Sequence, residues 1–328
     1  MLLLVFISTA VSAYVLALLA PKIGLVALPG EHRKHQQATP LVGGVAIFVG
    51  ILVAYVLVDN SQLGLLPSLA LLCLVGVIDD RFKLPSWVRF VAQAMAAYLM
   101  IKFTGVQLTS LGSLVSENET LLGSWAGPMT VFAVIGVINA INMSDGLDGL
   151  AGSLVILVLL AILSFDSKLQ GFVLQVIVAI LGFLIWNIRI ARDYAKLFMG
   201  DAGSTVLGMI MAYCLIYLSQ APSSAIQPVT ALWLLALPLI DAVAVLLVRP
   251  LRGSSPFSAD EMHYHHLLRA RGFSVNNILA LVLIVQTVLI VAGLAMMVGS
   301  VKEIYQLCAF LLCFAIYLSI LLISKPPD

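Results

Sequence analysis

The chain has 328 residues, of which 62% are hydrophobic and 10% charged, and its net charge is +1. Soluble domains average about 45–50% apolar and about 25% charged residues, so a soluble globular fold is excluded and a membrane protein with several spans is expected. The near-neutral balance gives no footing for a nucleic-acid partner.

A helix needs about 20 mainly apolar residues to cross a hydrocarbon core of about 30 Å. Eleven stretches fit: 2–20, 41–58, 63–78, 86–103, 128–143, 150–165, 170–188, 203–219, 228–248, 277–299 and 304–324. Several are short and read as tilted or re-entrant. Backbone groups in lipid must pair internally, so each is predicted as a helix. The alternation of a membrane barrel is missing. The expected fold class is therefore all-α, a polytopic integral membrane protein with about eleven transmembrane helices and a single domain over 1–328. The first stretch has no Lys or Arg before Lys22. A secretory signal carries its positive charge first, so this segment reads as a retained span. Cys73, Cys214, Cys308 and Cys313 lie in apolar runs without a C-x-x-C pair, and no disulfide or metal framework is expected.

Fourteen of the seventeen Lys and Arg residues fall on one side of these spans; Lys102, Lys168 and Lys302 fall on the other. The positive-inside rule puts the larger group in the cytoplasm, with the N-terminus outside and the C-terminus inside. All five histidines and most of the acids land on the same side. Polar chemistry thus concentrates in cytoplasmic loops near 21–40, 79–86, 144–149, 189–202 and 249–276. A secondary transporter would place ionisable groups near the midplane. Asp241 in "LPLIDAVAV" comes closest to that, either as a functional group or as a bond to a neighbouring helix.

Four motifs carry the chemistry. "VIDDRFKLP" puts Asp79 and Asp80 at the end of a span. Acids at a helix C-terminus oppose the macrodipole, so plain helix-end solvation does not explain them. "INMSDGLDGLAG" follows Asn139 with Asn142, Asp145 and Asp148 at every third position, and Gly146, Gly149 and Gly152 free its backbone. A hairpin turn needs neither the acids nor the amides, and the spacing matches neither an EF-hand nor a Walker loop. "LFMGDAGSTVLG" sets Asp201 between Gly200 and Gly203 at a helix start, as an N-cap, an anion site or both. In "HYHHLLRARG", His263 and His266 share a face if the segment is helical. Phosphate contact, zinc and a plain surface loop all stay open there.

Two carboxylates about 4 Å apart repel by about 4 kcal/mol at an effective dielectric near 20. Asp79, Asp80, Asp145, Asp148 and Asp201 gathered at one site would therefore call for a cation. All-oxygen ligand sets select Mg²⁺ or Mn²⁺. With glycine-rich loops and a His/Arg cluster, the natural substrate is a diphosphate, and the membrane setting suggests a lipid phosphate as its partner.

"DDRFK", "NMSDGLDGLAG", "FMGDAGS" and "HYHH" occur here in the order of the cytoplasmic motifs of the polyprenyl-phosphate N-acetylhexosamine-1-phosphate transferases, which the chain resembles over roughly 20–300. "PLVGG", "VTALWLLALPLID" and "SPFSADEMHYHHLL" are more similar to the WecA-type, undecaprenyl-phosphate GlcNAc-1-phosphate branch than to the phospho-MurNAc-pentapeptide translocase branch. The resemblance implies a phosphoglycosyltransferase of the bacterial inner membrane, acting at the cytoplasmic face. It converts UDP-GlcNAc and undecaprenyl phosphate into undecaprenyl-diphosphate-GlcNAc and UMP with Mg²⁺. Another UDP-HexNAc and UDP-MurNAc-pentapeptide remain alternative donors. Asp201 then matches the metal ligand, with Asp79 beside it. Asp79 and Asp80 match the acidic pair, Asp80 being expected as proton acceptor. Asn142, Asp145, Gly146, Leu147 and Asp148 match the nucleotide loop, and Phe198 a residue that stacks on uracil. Lys83 joins the substrate contacts, and His263, His265 and His266 match the diphosphate-contacting histidines. A homodimer is an open option. One departure is Gln36, where the translocase branch has lysine; Lys34 and His35 lie beside it.

Overall fold

The computed structural model describes residues 1–27, 38–57, 62–114, 118–163, 165–189, 194–220, 225–255 and 262–324. Gln36, Lys34 and His35 lie outside them, as do parts of the loops expected near 21–40, 189–202 and 249–276. Every apolar stretch expected from the sequence is helical. The helices are α1 (Leu2–Ile23), α2 (Gly43–Leu57), α3 (Leu66–Phe82), α4 (Ser86–Thr104), α5 (Ala126–Met143), α6 (Leu150–Ile162) and α7 (Ser167–Asn187). There follow α8 (Gly200–Gln220), α9 (Pro228–Leu234), α10 (Ala236–Leu251), α11 (Tyr264–Ala270), α12 (Val275–Val298) and α13 (Glu303–Ile323). A two-stranded antiparallel ribbon, β1 (Val26–Ala27) with β2 (Thr39–Pro40), is the one named sheet among the described residues.

Among the described residues, seven helical segments are long and apolar enough to cross a membrane. At 15 and 13 residues, α2 and α6 fall short of the roughly 20 a full span requires. The stretch expected as one helix over 228–248 is two, α9 and α10, bent by 84°. Its cause is Pro238, which has no N–H to give and whose ring would collide with the Leu234 carbonyl four residues back.

α8 is the pillar. Of its most apolar stretch 94% is buried within the protein, against 17% in α1 and in α13, whose apolar faces are left to the surroundings. Glycine explains how closely its neighbours approach. A Cβ on Gly44 of α2 would stand 2.0 Å from the Gly203 nitrogen, and one on Gly76 of α3 2.4 Å from Ala202 Cα. Backbone therefore packs on backbone around the first turn of α8. The chain before α2 is stitched to the same point: Phe198 N–H donates to the Pro40 carbonyl (2.8 Å), and Gly43 N–H to the Phe198 carbonyl (2.9 Å).

Candidate active site

Asp79 and Asp80 close α3 beside the N-terminus of α8, and both are buried. Asp80 spends its carboxylate there: Oδ1 accepts from Asp201 N–H (3.0 Å) and Oδ2 from Ala202 N–H (3.3 Å). These are two of the orphan donors that every helix start leaves. An acid that its own helix dipole disfavours is stabilised by the start of the next helix. Gly200 just before it has φ +74°, and a Cβ there would meet Asp80 Oδ2 at 2.5 Å. Asp201 itself does not cap α8. Its Oδ1 accepts from Asn142 Nδ2 (2.7 Å), which also reaches Ser204 Oγ (2.8 Å). Asp79 Oδ1 accepts from Leu84 N–H (2.6 Å). Asp79 Oδ2 is buried without a hydrogen-bond donor, 3.5 Å from Arg89 Nη1, and is repelled by the Asp201 carboxylate. Lys83 ends α3 in the left-handed region at φ 54°, exposed and close enough to attract Asp80.

The loop after α5 divides its residues between exposed and packed positions. Asp145 is partly exposed and Gly146 exposed. Asp148 is ion-paired with Arg189, its carboxylate 8% exposed. Gly149 N–H donates to Asn187 Oδ1 (2.7 Å), and Asn187 Nδ2 to the Leu197 carbonyl (2.9 Å), tying this loop to the one before α8. Leu147, expected at the substrate, is buried among Leu150, Leu154, Tyr264 and Ile278. Its apolar side chain gains more from that cluster than from a polar ligand, so its side chain belongs to the core. Phe198 is half-buried and fixed through its backbone.

The histidines arrive from α11. His263 is its N-cap, so it does not share a helix face with His266, contrary to expectation. It stacks parallel on His265 with ring centroids 5.8 Å apart, and His265 lies 4.2 Å from His266. His263 Nδ1 meets Asp241 Oδ2 at 2.7 Å. His265 is buried with neither ring nitrogen bonded. Burial pushes its pKa well down, helped by His266, His263 and Arg269, so it stays neutral. It faces the 144–149 loop: a Cβ on Gly146 would stand 2.1 Å from His265 Nε2.

A cleft of about 350 Å³ opens between α3, α4, α5 and α8, lined by Asp79, Arg89, Gln93, Asn139, Asn142 and Asp201 among others. Arg89 and Gln93 are the functional candidates sequence reasoning missed. Arg89 entered it only as a positive charge; its signal was an arginine one turn into an apolar run, with an amide one turn further on. Asn139 Nδ2 donates to Gln93 Oε1 (2.8 Å). Among the described residues no three His, Cys, Asp or Glu groups form a ready cage. The oxygen-only pair Asp79 and Asp201, with one buried oxygen lacking a donor, instead fits a hard cation that shares its shell with phosphate and water.

The glycosyl transferase family 4 profile matches residues 62–219, which hold Asp79, Asp80, the 144–149 loop and Asp201. The chain is also 38% identical over 326 residues to the undecaprenyl-phosphate alpha-N-acetylglucosaminyl 1-phosphate transferase of Salmonella typhi, covering 95% of this chain and 88% of that one. This chain belongs to that transferase family. The proteins of the same name from Escherichia coli K12 and Haemophilus influenzae are 36% and 37% identical, again over 95% of this chain.

Proposed function

We propose that the protein transfers GlcNAc-1-phosphate from UDP-GlcNAc to undecaprenyl phosphate, giving undecaprenyl-diphosphate-GlcNAc and UMP. The observation that carries this reading is the meeting of Asp79, Asp80, Asn142 and Asp201 at one helix start, in a chain whose relatives carry that activity in their names. An oxygen of the lipid phosphate attacks the β-phosphorus of UDP-GlcNAc in line. The bond from that phosphorus to the bridging oxygen breaks, and its electron pair leaves with UMP. Asp80 holds the N-terminus of α8, and Asn142 orients the Asp201 carboxylate. Since both Asp80 oxygens already accept backbone hydrogen bonds, Asp80 acts as the proton acceptor only by giving one of them up. Its contribution is modest, because a phosphomonoester with a second pKa of about 6 is already largely ionised near pH 7. Arg89 offers a cation to the incoming phosphate, and the α11 histidines and Lys83 face the diphosphate. Asp201 and Asp79 would hold Mg²⁺, with Mn²⁺ as the alternative, which when bound neutralises charge on the bridging oxygens.

In this reading all eleven apolar stretches enter the membrane, the N-terminus lies outside and the C-terminus inside, and the cleft faces the cytoplasm of a bacterial inner membrane. The support is the one-sided distribution of fourteen of seventeen Lys and Arg residues.

The test is UMP release by the purified protein with undecaprenyl phosphate, Mg²⁺ and competing UDP-sugars. Release with UDP-GlcNAc is expected. No release with UDP-GlcNAc, UDP-GalNAc or UDP-MurNAc-pentapeptide overturns the reading. A sugar-phosphate adduct trapped on the protein without lipid would replace direct attack by a covalent route.

A further inference from the structure

The turn between α9 and α10 is held by a side chain from a third helix. The chain breaks at Leu235 (φ −115°, ψ 24°), which leaves the Leu234 carbonyl and the Leu237 N–H without helical partners in an apolar interior. Such groups are costly unless paired. Gln286 of α12 is fully buried and takes both. Its Oε1 accepts from Leu237 N–H at 3.0 Å, and its Nε2 donates to the Leu234 carbonyl at 2.8 Å. One amide supplies the acceptor and the donor that the missing turn removed.

One turn beyond Leu237 stands Asp241, 1% exposed. Its carboxylate accepts from Tyr264 N–H at 3.2 Å and from the Tyr317 hydroxyl, and it meets His263 Nδ1 at 2.7 Å. A buried carboxylate paired to one ring nitrogen fixes both the orientation of an imidazole and where its protons sit. The bend at Leu235 therefore sets the direction of α10, α10 sets the place of Asp241, and Asp241 sets the start of α11.

We propose that Gln286 and Asp241 are positioning residues for the nucleotide-sugar half of the site: Gln286 locks α10 at its break, and Asp241 engages His263 Nδ1 so that Nε2 is left for the diphosphate. This rests on the transferase reading above, in which the histidines hold the diphosphate. Neither residue touches substrate, so their effect is selective. It falls on UDP-GlcNAc and spares the lipid phosphate, which meets the Asp79 and Arg89 side of the cleft.

The test is steady-state kinetics of the full-length protein with Gln286→Met, which keeps the volume and removes both hydrogen bonds. KM for UDP-GlcNAc rises about tenfold while KM for polyprenyl phosphate stays within about twofold. Gln306→Met removes another buried amide, one that ties α13 to Gln227 and Val301, and shows no such split. Asp241→Asn reproduces the split, and the double variant is no worse than the worse single one. A wild-type protein that releases no UMP sinks the transferase reading itself. An active wild type in which Gln286→Met shifts both KM values alike, or neither, overturns the positioning role. Should Gln286→Met not fold, an unchanged KM for UDP-GlcNAc in Asp241→Asn overturns it equally.

Discussion

Asp80 accepts two backbone hydrogen bonds at the start of α8, so replacing it acts through geometry. Asp80→Asn keeps one acceptor oxygen and loses the charge that complements the helix start. It should cost about 1 kcal/mol of stability and lower kcat by displacing Asp201. Asp79→Asn should lower kcat with little change in stability, because losing the Arg89 ion pair is offset by losing the repulsion from Asp201. Thermal unfolding and UMP release on the two variants separate these roles; equal losses of stability would contradict the division. His265 gives a pH signature. Its folded-state pKa lies well below the 6.5 of a free histidine, so the unfolded chain binds the extra proton first. Stability is fully present above pH of about 6.5 and is lost below it, by up to about 1.4 kcal/mol per unit. A melting temperature that falls no more steeply with acid in the wild type than in His265→Phe would contradict this. Much at this scale was legible. Asp79 and Asp80 stood out because they opposed a helix dipole, though the reason for it, a neighbouring helix start, lay 121 residues away for Asp80. Arg89 did not stand out, since an arginine at the edge of an apolar run also reads as a membrane-surface charge.

Among the elements, the first turn of α8 depends on glycine for its closest contacts. A methyl on Gly44 has backbone of Gly203 at 2.0 Å, and backbone does not swing aside. Gly44→Ala should therefore destabilise by about 1–3 kcal/mol, the usual range for overpacking, and reduce UMP release. Gly127, inside α5, has nothing within 4 Å of its would-be Cβ. Gly127→Ala should be neutral or stabilising by up to about 1 kcal/mol. Matching melting temperatures for the two would show that close packing at the start of α8 is not what holds it. Hydropathy located the helices to within a few residues, because length and apolarity are local properties. It could not see the break at Leu235. Pro238 was visible, but the amide that makes a bend tolerable there, Gln286, belongs to another helix. The face-sharing of His263 and His266 failed for a related reason: α11 begins only after His263.

For the molecule as a whole, four motifs that hydropathy scatters between helices come together through named bonds. Asp80 joins Asp201, Asn142 joins Asp201, Gly146 faces His265, and Asp241 joins His263. Sequence order alone showed that these segments share a side; their meeting needed the packing around α8. The proposed topology predicts opposite labelling of two positions in intact cells, in a Cys308→Ser background. Leu121→Cys should react with an impermeant thiol reagent added outside, and Arg271→Cys only once the membrane is opened. The reverse pattern would turn the charge argument over. The most direct measurement is the initial rate of UMP release from UDP-GlcNAc and undecaprenyl phosphate with Mg²⁺, for the wild type and for Asp201→Asn. A site centred on the start of α8 predicts a loss of about 100-fold or more, roughly 2.7 kcal/mol in the barrier. Asp201→Asn turning over at the wild-type rate would contradict it.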